Sequence, residues 1–93
     1  MYPDELQEAA SRLYHYATTG EFVSELNGYE AYERPIPGTS FVAVRMFAED
    51  ESRPAAIRIT HDGEIVAWAT LDDALEILDV SAPEILVRMA ALT

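Results

Sequence analysis

The chain has 93 residues, and its seventeen Asp and Glu against six Arg leave a formal net charge of −11, with no Lys and no Cys. That length supports one hydrophobic core, so a single domain over residues 1–93 is expected, and 49% hydrophobic with 25% charged residues excludes disorder along the whole chain. The charge argues against direct nucleic-acid binding, and the missing cysteine removes disulfides, thiolate zinc sites, iron–sulfur ligation and thiol nucleophiles together.

The first element reads as a helix. Pro3 suits the first turn, Asp4 and Glu5 favour the positive end of the helix dipole, and Leu6, Ala9, Ala10, Leu13 and Ala17 recur at helical spacing until Gly20. Residues 21–26 carry Phe22, Val23 and Leu26 and are expected as a short helix ending at Asn27-Gly28, a pair that readily takes positive φ. The stretch 29–38, with Pro35 and Pro37, reads as a connector or edge segment.

Residues 40–48 are branched and aromatic on both alternating faces and predict a strand buried on both sides. After a polar break at 49–54, residues 55–61 alternate Ile57 and Ile59 with Arg58 and Thr60, which predicts a strand with one solvated face. Asp62-Gly63 is a two-residue hairpin signal, and 64–69 resumes with Ile65 and Ala67 on one face, Val66 and Trp68 on the other. Thr70 and Asp73 then resemble a capping pair for a helix to Asp79, striped by Leu71, Ala74, Leu75 and Leu78. Ser81 and Glu84 form a capping box for a last helix that buries Ile85, Leu86, Met89 and Leu92. The expected fold class is therefore α+β: an N-terminal helix and a short helix, a three-stranded antiparallel meander, and two C-terminal helices.

Chemistry-bearing patterns are sparse. His15 and His61 lack the helical pairing of zinc ligands, the acidic break at 49–51 lacks the central glycine of a calcium loop, and the four glycines are spaced as turn markers rather than as a phosphate cradle. No nucleophile elbow is present, so neither an enzyme nor a cofactor is expected. A small hydrolase would need a pocket joining His15 or His61 to a carboxylate. The longest apolar runs, such as 65–69, fall far short of the roughly twenty residues that span a bilayer, and the acidic opening lacks a secretory leader's positive charge. A cytoplasmic protein without membrane contact is the expectation.

The informative feature is where the acid falls. On a helix from Leu71, the residues Asp72, Glu76 and Asp79 stand at i, i+4 and i+7, a row of carboxylates with Asp73 beside it and no Arg between Arg58 and Arg88 to neutralise it. A second set, Glu21, Glu25, Glu30 and Glu33, runs beside Tyr29 and Tyr32. Together they present phosphate-like charge with interleaved aromatic surface, suited to a basic groove that holds nucleic acid. The plainer reading is that the carboxylates serve solubility and no partner reads them.

In size, charge and lack of motifs the chain resembles the small acidic inhibitors that phages make against host defences, the anti-CRISPR and anti-restriction proteins, several of which are nucleic-acid mimics. The resemblance is to a class and transfers no functional residue. It implies a non-enzymatic protein that blocks a basic surface of a larger protein or ribonucleoprotein complex. The alternative is an acidic chaperone, antitoxin or immunity-type protein that neutralises its partner through an apolar surface. Either a monomer or a homodimer paired along a free strand edge fits the sequence.

Overall fold

The computed structural model describes residues 2–50 and 52–93, with Leu26 described by its backbone alone; Met1, and Glu51 of the expected polar break, lie outside the described residues. Helix α1 (Asp4–Tyr16) runs through a 3₁₀ turn (Ala17–Thr19) into six strands. These are β1 (Glu21–Leu26), β2 (Tyr29–Pro35), β3 (Phe41–Ala48), β4 (Ala55–His61), β5 (Glu64–Leu71) and β6 (Ile77–Ser81), and helix α2 (Pro83–Ala90) ends the fold. The strands form one antiparallel sheet in sequence order, a six-stranded meander.

The α+β class stands, but its composition differs from the expectation: six strands and two α-helices replace three strands and four helices. The expected short helix at 21–26 and connector at 29–38 are the hairpin β1–β2. Its Asn27-Gly28 turn takes φ 55° and 81°, nearly the values of 53° and 82° at Asp62-Gly63. Both are the paired positive-φ turns that match strand twist. The expected helix from Leu71 is the end of β5, a turn, and β6. There Asp72 Oδ1 accepts the backbone N–H groups of Ala74 and Glu76, each at 2.9 Å, an alternative to helical bonding that short acidic side chains offer. The α2 capping box is likewise absent. Ser81 belongs to β6, and Ala82, at φ 54°, holds the N-cap position without a side-chain bond.

Both helices lie on one face of the sheet, α1 against β3 and β4, α2 against β5 and α1. Leu6, Ala9, Ala10, Leu13 and Ala17 of the expected stripe are all buried, against Ala43, Ile57, Ile59, Ala67, Ala69 and Leu71. Leu86 and Met89 complete this core, whereas Leu92 lies past the end of α2 and is exposed. A bulge opposite Ile59 and Thr60 puts Ile65 opposite Thr60, on the face away from the helices, and Val66 against the core. The pairing of Ile65 with Ala67 on one face is thereby corrected. β3 is covered on one side alone: Ala43 is buried, while Val42, Val44 and Met46 are half-buried on the open face. No helix among the described residues is long and apolar enough to cross a membrane.

Candidate functional site

In a meander each strand reverses the last, so the β1–β2, β3–β4 and β5–β6 connections leave the sheet at the same end. That end gathers Glu25 and Glu30 beside the first turn, Glu49 and Asp50 in the second connection, and Asp72, Asp73 and Glu76 in the third. Four strand spacings separate the outer connections, about 19 Å. Sequence reasoning splits these acids between two sets and leaves Glu49 and Asp50 out. Strand parity joins them.

Several contacts hold this end in shape. Gln7 of α1 donates from Nε2 to the Leu75 carbonyl and accepts the Ile77 N–H on Oε1 at 2.9 Å, clamping the β5–β6 turn to the helix. Leu75 itself takes φ 62°. Arg53 straps the second connection to the first: its Nη1 donates to the Asn27 carbonyl and its guanidinium stands 5.2 Å from the Tyr29 ring centre. Asp50 accepts the Ser52 backbone N–H at 2.9 Å and the Ser52 hydroxyl at 2.8 Å. Those two bonds, the backbone one first, hold its carboxyl below the ordinary aspartate range; slight burial opposes them, and nearby Arg53 adds a smaller attraction.

The rest of the electrostatics leaves the acid uncompensated. Among the described residues the one ion pair is His61 Nδ1 to Asp62, at 3.7 Å. Arg34 stacks on Tyr16 at 4.1 Å and donates to its carbonyl, Arg45 lies over Tyr14 and Phe47, and Arg12 donates to the Thr93 carbonyl. Arg12, Arg34, Arg45 and Arg53 are thus engaged by rings, backbone carbonyls and threonine hydroxyls rather than by carboxylates. On the hairpin, Glu25 stands directly opposite Glu30 and Glu21 opposite Glu33, two like-charge cross-strand pairs of a kind that destabilises a sheet.

The remaining expected residues separate. Alternation along β2 sends Tyr29 and Glu33 to the open face and Glu30 and Tyr32 to the helix-bearing face. There Tyr32 stacks on Phe47 at 5.8 Å and meets the edge of Phe22, which is 55% exposed. Glu21 and Glu33 lie toward the opposite end of the sheet, and Asp79 sits in β6 opposite Thr70. The expected helical row of Asp72, Glu76 and Asp79 is therefore a turn pair plus a separate strand residue.

At that opposite end, Ser40 Oγ lies 2.7 Å from His61 Nε2, and Asp62 follows on the hairpin turn. The order of groups is that of a nucleophile, base and orienting acid. The His–Asp separation of 3.7 Å is too long for a hydrogen bond, and the Asp62 side chain is 82% exposed. Comparison with protein-family models, curated proteins and solved structures finds no match to this chain.

Proposed function

We propose that this chain is a non-enzymatic acidic binding protein that seats the loop-bearing end of its sheet on a basic surface of a larger partner, of the kind that otherwise holds nucleic acid, and blocks it. The observation that carries the reading is the gathering of Glu25, Glu30, Glu49, Asp50, Asp72, Asp73 and Glu76 at one end, where the exposed Arg53 is tied to the Asn27 carbonyl and the Tyr29 ring and pairs with none of them. Such a field steers a basic partner and sets its orientation.

The test is capture from nuclease-treated lysate by the wild type and by an E25Q/E30Q/D72N/D73N/E76Q variant. D72N keeps the oxygen that accepts the turn's N–H groups, so the variant retains its fold. The reading expects a partner released by moderate salt and displaced by added DNA or RNA, and lost by the variant. Salt-resistant capture that ignores the substitutions contradicts it and transfers the contact to an apolar surface.

A second reading, a serine hydrolase, draws on Ser40 and His61 alone. It requires Ser40 to be labelled by a fluorophosphonate in a manner abolished by His61→Ala; absence of labelling removes it.

A further inference from the structure

The sheet face away from the helices is uncovered by any described element. β3 presents Val42, Val44 and Met46 along its centre, with Ala31 of β2 on one side and Ala56 of β4 on the other. Ala31 is 7% exposed yet lies outside the core under the helices, so this face already packs its own side chains. Across the middle, the register sets Glu33, Val44, Arg58 and Trp68 in one row on successive strands. Arg58 and Glu33 are both half-buried, and neither side chain forms a hydrogen bond or ion pair with another described residue.

We propose that a second copy of this chain covers this face, the two sheets packing face to face about a two-fold axis that runs along β3. Rotation about such an axis exchanges the positions of β2 and β4, each one strand spacing, about 4.8 Å, from β3. Glu33 of one protomer then meets Arg58 of the other, twice, while Val42, Val44 and Met46 meet their own copies and Ala31 meets Ala56. Aligned sheets cross at roughly 30°, which keeps the central strands in contact near the axis.

Charge complementarity selects this occupant. The face asks for an apolar surface bearing a carboxylate one strand off centre to answer Arg58 and a cation to answer Glu33, and this chain supplies both in register. A uniformly basic surface answers Glu33 and repels Arg58. Edge pairing is the poorer route to self-association, because β1 and β6 are interrupted by bulges and carry Glu21, Glu25 and Asp79. The face spans roughly 500 Å² per protomer in flat projection. Twice that stands at the roughly 1,000 Å² floor for a specific interface and below the roughly 1,200–2,000 Å² of stable ones, which is why a monomer–dimer equilibrium and not a permanent dimer is expected.

The dimer does not rest on the basic-partner reading, and salt separates the two. Protomers at −11 each repel at the rim, so screening strengthens the dimer while it weakens a basic partner's grip. Sedimentation equilibrium of the full chain, at low and high salt, tests it. The expected result is a monomer–dimer equilibrium whose dissociation constant falls as salt rises. R58E or E33R alone raises that constant at least about 30-fold, the cost of leaving a buried charge unpaired. The double reversal E33R/R58E restores dimerisation, which an unfolded chain cannot do. V44R, on the axis, gives monomers with unchanged circular dichroism. A monomer at every concentration and salt overturns the proposal. So does a dimer indifferent to V44R or to the single reversals, or a double reversal that restores nothing.

Discussion

Gly20 joins the helical and sheet parts of the chain at a point with no room for a side chain. A Cβ there stands 2.3 Å from the Glu33 carbonyl oxygen and 3.0 Å from that of Ala17, both backbone atoms that cannot swing aside. Gly20→Ala is expected to destabilise the fold by about 1–3 kcal/mol, the range for overpacking, read from the denaturant midpoint. Asp50 makes a residue-scale prediction about pH. Its folded carboxyl titrates below its unfolded value, so the stability it contributes is present above the unfolded value and is lost as pH falls through the folded one. An NMR titration should find Asp50 losing its charge at lower pH than an unbonded aspartate, and Ser52→Ala should move the midpoint back part of the way by removing the hydroxyl bond while leaving the backbone one. An Asp50 midpoint unaffected by that substitution contradicts a role for the Ser52 hydroxyl in holding the carboxylate.

At the scale of elements, the β1–β2 hairpin sets stability against binding. Glu25→Lys converts a like-charge cross-strand pair with Glu30 into an opposite-charge one, expected to stabilise by about 0.2–1 kcal/mol in thermal unfolding. The same change removes acid from the proposed docking end and should weaken capture of a basic partner; a variant that gains stability with no loss of capture places the contact elsewhere. This hairpin also shows where sequence reasoning stops. α1 is legible because Leu6, Ala9, Ala10, Leu13 and Ala17 fit one period alone, and β3 to β5 because alternation and Asp62-Gly63 agree. Asn27-Gly28 carries the same turn signal, yet the prolines and acids after it conceal β2. From Leu71 onward, Leu71, Leu75 and Leu78 fit a helix as well as Leu71, Ile77 and Val80 fit strands. What decides is nonlocal: the edge of β5 available for pairing, and Gln7 reaching the turn from α1. The acids are legible as charge, but which of them share a surface follows from the number of strands between them. Arg58 and Val44, ordinary in sequence, become informative only through the register of an uncovered face.

At the scale of the molecule, the described residues pack to a radius of gyration of 12.0 Å with extents of 32 × 31 × 21 Å, a slab with helices on one broad side, an apolar sheet face on the other and acid concentrated at one end. A docking surface, as proposed, and a share of a generally acidic coat differ in how they meet a cationic ligand. The most direct measurement is an amide NMR titration of the chain with a short arginine-rich peptide at low salt. For a docking surface, shift changes cluster at 25, 30, 49, 50 and 72–76 and fade as salt is raised. Changes of equal size at the carboxylates of the opposite end, Glu21, Glu33, Asp62, Glu64 and Glu84, would contradict it and leave the charge serving solubility.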